Sequence, residues 1–140
     1  MYKIIDGKQT AGLIKDEIAR KVAERSQNGK KIPHLAAILV GSNGSSETYV
    51  ANKIKDCEEV GFRSTLVRMK DDVTEDEILE AIGKLNSDPD VDGFIVQLPL
   101  PDHISESRIT EAIDPEKDAD GFHPVNLGRM VIGIDCYLPA

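Results

Sequence analysis

The sequence predicts an α/β fold of three layers, in which a mostly parallel open sheet is flanked by helices on both faces. Short apolar runs of strand length alternate with longer segments whose apolar residues recur every three or four positions. The clearest run is Leu-Ala-Ala-Ile-Leu-Val at residues 35–40, which ends at Gly41. A strand that is apolar throughout is buried on both faces, as in a parallel sheet covered by helices. A chain of 140 residues has the length of one such domain.

Two helices are predicted next to this strand, one before it and one after it. The first ends near Gly29, and its apolar residues at helical spacing are Ala11, Ile14, Ile18 and Val22. The second runs from about Ser46 to Val60 and stops at Gly61, with Ser45 or Ser46 as its N-cap. Its predicted buried stripe consists of Val50, Ile54 and Cys57.

The second half of the chain continues the alternation and ends in an irregular acidic stretch. Its predicted elements are a strand at residues 66–69, a helix opened by the capping box Thr74-x-x-Glu77, a strand at residues 94–96 and a short helix around residues 105–113. Pro99 and Pro101 end the later strand, because proline has no N–H to donate to a sheet. Open parallel sheets bind ligands outside the carboxyl ends of their strands, so a site is expected near residues 41–46, 69–72 and 97–101.

The charge balance excludes several classes of partner. The chain has 25 Asp and Glu against 17 Lys and Arg, which gives a net charge of −8 at pH 7. Such a surface repels polyanions, so neither nucleic acid nor a membrane is an expected partner. Cys57 and Cys136 form no metal-ligand pattern, and no metal is expected. The first ten residues lack the pattern of a signal peptide, and we expect a cytoplasmic protein.

A Gly/Ser loop, Gly41-Ser-Asn-Gly-Ser-Ser46, joins the first predicted strand to the second helix. Its backbone N–H groups at a helix N-terminus could hold an anion, with Gly41, Ser45 and Ser46 supporting the site. An ordinary turn followed by an N-cap accounts for the same residues equally well. The loop is not a Walker loop, and no G-x-G-x-x-G motif occurs in the chain. A dinucleotide site within these residues is therefore not expected.

Tyr49 and Lys53 lie four residues apart on the second predicted helix, so an aromatic ring and an amine share one helix face. A lysine beside a partly dry cleft can transfer protons near neutral pH. By spacing alone, a solvent-facing lysine beside a partly buried tyrosine is the favoured alternative. Lys55 points elsewhere and is interpreted as surface charge.

Two further stretches place polar groups near predicted strand ends. Gln97 ends a buried strand and precedes a stiff wall that begins with Leu98 and Pro99, where its amide either finds partners or is hydrated. Residues 115–124 mimic the first half of a calcium loop, but Leu127 occupies the position of the bidentate acid. A single Asp beside a cleft can instead accept two donors from an amino-pyrimidine-like edge. The histidines are interpreted as surface or structural residues: His34, His103 and His123.

Three motifs, taken together and in order, resemble one enzyme family. They are Ser46-x-x-Tyr49-x-x-x-Lys53 followed by Gly61, Val96-Gln-Leu-Pro-Leu-Pro101, and Lys117-Asp-Ala-Asp-Gly-Phe122. The chain resembles bifunctional methylenetetrahydrofolate dehydrogenase/methenyltetrahydrofolate cyclohydrolase over essentially its whole length. The resemblance implies the N-terminal, tetrahydrofolate-binding catalytic domain. Ala119 departs from the family, which usually has a branched aliphatic residue there.

The resemblance implies a role for each matching residue. Lys53 would be the catalytic lysine, Gln97 would hydrogen-bond near it and help set its protonation, and Asp120 would anchor the amino-amide edge of the pterin. Tyr49 would stack on the folate rings, beside the wall Leu98–Pro99. The implied reaction is the oxidation of 5,10-methylene-tetrahydrofolate by NADP, or by NAD in some members. Hydrolysis of the resulting methenyl cation to 10-formyl-tetrahydrofolate follows.

The resemblance also implies a second domain beyond Ala140, which would bind NAD(P), and a homodimer of the longer protein. We therefore expect residues 1–140 to be the N-terminal domain of a longer enzyme, without dehydrogenase activity by themselves. Two other hypotheses stay open. One is a stand-alone α/β module that binds a pterin or phosphate without catalysis. The other is a flavodoxin-like phosphate or nucleotide binder that uses residues 41–46.

Overall fold

A three-stranded parallel sheet forms the middle layer of the computed structural model, which describes residues 6–139. The strands are β1 (His34–Val40), β2 (Arg63–Met69) and β3 (Gly93–Val96), in the order β2-β1-β3. The register places Ile38 of the central strand beside Val67 on one side and Val96 on the other. The predictions made on the first five residues and on Ala140 lie outside the described residues.

Five helices occur within the described residues. They are α1 (Gly7–Gln27), α2 (Gly44–Val60), α3 (Glu75–Ser87), α4 (Glu106–Ala112) and α5 (Pro124–Val131). The capping box that opens α3 is confirmed, because Thr74 Oγ1 accepts from the Glu77 N–H while the Glu77 carboxylate accepts from the Thr74 N–H. The predicted stop of α2 is also confirmed, since Gly61 adopts a left-handed φ of 80° there.

The two faces of β1 contribute to two separate hydrophobic clusters. Ile38 and its alternate neighbours pack with residues of α3 and α4, whereas Leu39 packs with Val50 of α2 on the opposite face. Helix α1 packs in turn against α2. The predicted three-layer α/β fold is therefore confirmed. Only the later part of the α1 stripe is covered, with Val22 buried and Ile14 exposed.

The structure differs from the sequence-based expectation at two places. The N-cap of α2 is Asn43, not Ser45 or Ser46, because the Asn43 side chain accepts from the backbone N–H groups of both serines. Helix α5 lies in the stretch expected to be irregular. Pro124 occupies its first turn, where a missing N–H costs nothing, and the His123 side chain caps it by accepting from the Val125 N–H.

Ion pairs join the amino ends of the strands. Asp92 accepts from the Lys31 amine at 2.7 Å and from the His34 backbone N–H at 2.9 Å. Asp90 accepts from Arg63 at 2.7 Å. Burial, the largest single influence on Asp92, raises its pKa, but the two hydrogen bonds outweigh it and the net pKa lies below the ordinary 3.8. The Arg63 guanidinium likewise lowers the pKa of Asp90.

The lowered pKa of Asp92 predicts that this residue contributes to the loss of stability at acid pH. A carboxylate whose pKa is lowered by folding stabilises the protein above its unfolded pKa, and that contribution is lost as the pH falls through the folded pKa. We expect the free energy of unfolding of Asp92→Asn, measured in urea, to depend less on pH below about pH 4 than that of the parent chain. The exposed Asp102 is the control site, and Asp102→Asn should follow the parent curve. An unchanged acid slope in Asp92→Asn would contradict the assignment.

Candidate active site

A lysine of α2 and an aspartate from the segment beside β3 meet in the structure, although they come from distant parts of the chain. Lys53 Nζ on α2 lies 3.4 Å from Asp120 Oδ1, and the two residues are separated by 67 positions in sequence. The side chains are 38% and 21% exposed, so the pair is open to solvent on one side. Both residues come from motifs on which the family resemblance rests.

A tight turn presents Asp120 to the lysine. The Gly121 N–H donates to the Asp118 carbonyl at 3.2 Å, which closes a turn over residues 118–121. The turn begins beside β3, where Phe94 and Asp118 form a parallel bridge. Gly121 has a φ of +70°, and its α-carbon lies against the backbone of Leu138 and Pro139. The position therefore requires glycine for both its backbone conformation and its close approach.

A stiff wall follows β3 and contacts the first turn of α2. The Gln97 N–H continues the pairing with β1 by donating to the Ile38 carbonyl at 2.9 Å. The Leu98–Pro99 peptide bond is cis. Ser46, only 2% exposed, directs its hydroxyl toward the Leu98 carbonyl at 3.5 Å. The start of α2, which leads to Lys53, is thus packed against the wall.

The side chain of Gln97 is only half satisfied within residues 6–139. Its Nε2 donates to the Leu98 carbonyl at 2.7 Å, while its Oε1 is buried without a hydrogen-bond partner. An unpaired buried amide oxygen costs free energy, so this acceptor is available to an incoming donor. The structure pairs Lys53 with Asp120, and the role of Gln97 toward Lys53 stays a prediction.

Tyr49 is 64% exposed, so its ring does not belong to the core. It lies one helical turn before Lys53 on α2, and the ring is therefore accessible to a planar ligand beside the lysine. The alternative that assigned Tyr49 to the partial core does not fit this exposure.

An apolar cleft of about 370 Å³ opens beside the pair and is lined by both Lys53 and Asp120. Its apolar walls come mainly from Ile18, Leu35, Cys57, Val60, Phe62 and Ile95. Burial raises the pKa of the Cys57 thiol, and nearby carboxylates raise it further, so this cysteine is a neutral wall residue near neutral pH. The cleft gives the charged pair an apolar neighbourhood on one side.

Within the Gly/Ser loop, the side chain of Asn43 accepts hydrogen bonds from the backbone N–H groups at the start of α2. Asn43 Oδ1 accepts from the N–H groups of Ser45 and Ser46 and from the Ser45 hydroxyl. Gly41 has a φ of +76°, and the Asp71 carboxylate lies so close that a β-carbon on Gly41 would clash with its Oδ1. The N–H groups of Ser45 and Ser46 are thus engaged, and a carboxylate lies nearby. The geometry favours the turn-and-cap alternative.

Within residues 6–139, no three His, Cys, Asp or Glu side chains are grouped so that they could hold a metal ion. The histidines contact protein groups: His34 bonds to Thr65, His103 to the Val73 carbonyl, and His123 caps α5. In the same part of the chain, no helix has the length and hydropathy to span a membrane.

Fold and site together define a class of protein: a parallel α/β domain with a lysine–aspartate pair and an exposed aromatic ring one helical turn before the lysine. The family model "Tetrahydrofolate dehydrogenase/cyclohydrolase, catalytic domain" matches residues 5–120. The chain belongs to this family.

Relatives and solved structures agree with the family. The chain is 58% identical over 139 residues to the bifunctional protein FolD of Porphyromonas gingivalis and 61% identical over 137 residues to that of Bacteroides fragilis. The two matches include 99% and 98% of this chain but only 47% of each relative. The chain thus spans about half the length of the curated relatives it matches.

Two solved structures show the same fold. A silkworm (Bombyx mori) 5,10-methylenetetrahydrofolate dehydrogenase matches with a TM-score of 0.96 and 42% identity over 99% of this chain and 48% of that one. FolD of Trypanosoma brucei, solved with NADP cofactor and inhibitor, matches with a TM-score of 0.88 and 35% identity over 93% of this chain and 44% of that one.

The geometry of the turn that carries Asp120 predicts that position 121 requires glycine. Gly121→Ala would place a β-carbon 2.7 Å from the Leu138 carbonyl carbon and force alanine into a left-handed conformation. We expect a loss of about 1–3 kcal/mol in the free energy of unfolding, measured in urea.

The matched control is Gly128→Ala, because Gly128 lies in α5 with open space around it. This change should be neutral or stabilise the chain by up to about 1 kcal/mol. A Gly121→Ala variant as stable as the parent would show that the turn is not constrained as described.

Proposed function

We propose that this chain is the tetrahydrofolate-binding and catalytic part of a bifunctional methylenetetrahydrofolate dehydrogenase/cyclohydrolase in one-carbon metabolism. The observation that carries the proposal is the Lys53–Asp120 pair beside an apolar cleft and the exposed Tyr49 ring. Family membership supports it, as do relatives that are named for a bifunctional activity. The longer relatives have further residues outside the matched region, and the proposed activity concerns the whole protein.

Asp120 supplies the recognition of the pterin in this proposal. A carboxylate is an acceptor with two oxygens, and the amino-amide edge of a pterin presents two N–H donors side by side. Only Oδ1 of Asp120 is engaged by Lys53 in the structure, at a distance of 3.4 Å. The remaining acceptor positions face a partly open site and are available to the ligand.

Tyr49 and the wall after β3 supply flat surfaces for the folate rings. The tyrosine ring is exposed one turn before the lysine, so a stacked ring would lie next to the amine. Leu98 and Pro99 form the other surface, which the contact from Ser46 fixes relative to α2. These residues position the substrate, and Gln97 offers its buried Oε1 as a further acceptor.

Lys53 carries the proton transfer of the hydrolytic step. Water attacks the methenyl carbon and gives up one proton, and the second water proton passes to N5 as the bond from that carbon to N5 breaks, which leaves the formyl group on N10. The Lys53 amine accepts the first proton of the water, and Asp120 faces the resulting ammonium, which is the charge state of the ion pair in the structure.

NADP is the proposed hydride acceptor, and it would remove hydride from the methylene carbon when bound. The start of α2 is disfavoured as a dinucleotide site, because the Asn43 side chain occupies the position that a phosphate would take. We therefore place the NADP site in a C-terminal domain of the longer protein, with residues 1–140 as its N-terminal tetrahydrofolate-binding domain. The NADP bound in the Trypanosoma brucei structure supports NADP as the cofactor of the longer protein. A homodimer of the longer protein belongs to the same proposal and rests on the family resemblance.

A non-catalytic pterin-binding module is the second candidate, because the same cleft would bind the ligand without using the amine. The two functions differ in what Lys53 does. In a fusion of this chain to the unmatched part of the Bacteroides fragilis relative, we expect Lys53→Met to lower the rate of methenyl-tetrahydrofolate hydrolysis about 100-fold or more, because the proton acceptor is lost. The decay of methenyl absorbance measures this rate.

Lys55→Met is the matched control, since Lys55 lies two residues on along α2 and is exposed. Its hydrolysis rate should equal that of the parent fusion. Full activity in the Lys53→Met fusion, or a folded parent fusion without hydrolysis, would contradict the catalytic proposal and favour the binding module.

A further inference from the structure

One buried carboxylate near the site has no part in the proposed chemistry. Asp118 is 2% exposed, and its Oδ2 accepts from the His123 N–H at 2.8 Å and from Asn126 Nδ2 at 2.9 Å. Both donors are neutral groups. A buried carboxylate is costly unless its hydrogen bonds are made, so these two contacts are required for the arrangement to persist.

Asn126 connects α5 to both ends of the segment that precedes the turn. It is 1% exposed, and its Nδ2 donates to the Pro115 carbonyl at 3.0 Å as well as to Asp118. A single carboxamide therefore holds the beginning and the end of residues 115–118. No other side chain within residues 6–139 donates a hydrogen bond to either acceptor.

The held segment leads directly to Asp120. On one side it is bonded to β3, with the Phe94 N–H donating to the Lys117 carbonyl and the Ala119 N–H donating to the Phe94 carbonyl. On the other side, Asn126 of α5 bonds to it at the Pro115 carbonyl and at the Asp118 carboxylate, which also accepts from the His123 N–H. Asp120 follows two residues later, and its 3.4 Å contact with Lys53 is already at the long end of hydrogen-bond distances. A small displacement of the turn would break that contact.

We propose that Asn126 is a positioning residue, which holds the Asp118 carboxylate and through it the turn that brings Asp120 to Lys53. This inference rests on the proposed function of the Lys53–Asp120 site for its consequence in catalysis. The geometric part concerns only the contact between the two side chains and is measurable without a folate.

The first test uses the 140-residue chain and the ¹³Cγ resonance of Asp120. In the parent, Lys53→Met removes a cation 3.4 Å from the carboxylate, and the resonance should move. In an Asn126→Ala background we expect the same replacement to cause less than about half of that movement, because the pair is already separated. If Asn126→Ala lacks the dispersed amide spectrum of a folded chain, Asn126→Ser is measured in its place.

Asn86 provides a matched control. Like Asn126, it makes two hydrogen bonds, which here join the Ala112 carbonyl and the Asp114 N–H, but it does not bond to residues 115–121. In Asn86→Ala, the response of Asp120 to Lys53→Met should stay at the parent value. Asp118→Asn retains an acceptor oxygen for both donors and should keep most of the response. A full response in the folded Asn126 variant would overturn the proposal.

The second test measures the fusion enzyme. We expect Asn126→Ala to lower kcat/KM for methenyl-tetrahydrofolate hydrolysis about 10- to 100-fold through a higher KM, while Asn86→Ala leaves KM unchanged. An unchanged KM in Asn126→Ala would contradict the catalytic consequence. Failure of the proposed function appears separately, as an active Lys53→Met fusion, and does not alter the result at the Asp120 resonance.

Discussion

Burial of β1 on both faces is the constraint on which the rest of the structure depends. Alternate side chains of this strand enter two different hydrophobic clusters, so helices must cover the sheet on each side. Helices can reach both faces only through crossover connections between parallel strands. All carboxyl ends of the strands then lie at one edge, and the loops that follow β1 and β3 meet there. The position of the site is a consequence of this arrangement.

The site itself joins an apolar cleft to one pair of opposite charges within an acidic chain. A net charge of −8 would not attract an anionic ligand, and Asp120 compensates the nearest cation, Lys53. We therefore expect the site to recognise the hydrogen-bond donors and the flat apolar body of its ligand more than the ligand's charge. A pterin ring system has both, and Tyr49, one helical turn before Lys53, presents an exposed ring to such a flat body.

Much of the fold could be predicted because its signals are local. The strand at residues 35–40, the capping box of Thr74 and the stop at Gly61 each depend on a few neighbouring residues. The N-cap of α2 could not be chosen from such rules, because several residues able to cap stand close together. Helix α5 was not predicted because Pro124 is compatible with both a break and a first helical turn.

The site could be predicted only in part, because local spacing indicates which residues share a helix face but not which distant residues meet. Tyr49 and Lys53 share a helix, and their common face follows from spacing. The meeting of Lys53 with Asp120 depends on tertiary structure, and only the family motifs pointed to both residues. Asn126 carried no signal in the sequence. Its hydrogen bonds to Pro115 and Asp118 exist because α5 folds back on the preceding segment.

A titration of the isotope-labelled chain with 5,10-methenyl-tetrahydrofolate, followed by NMR, shows directly which residues bind the folate. We expect saturable shifts at Tyr49, Lys53 and Asp120, with the residues of the Gly/Ser loop at 41–46 little changed. Saturable shifts confined to that loop, or no shifts at the lysine–aspartate pair at saturating ligand, would contradict this expectation.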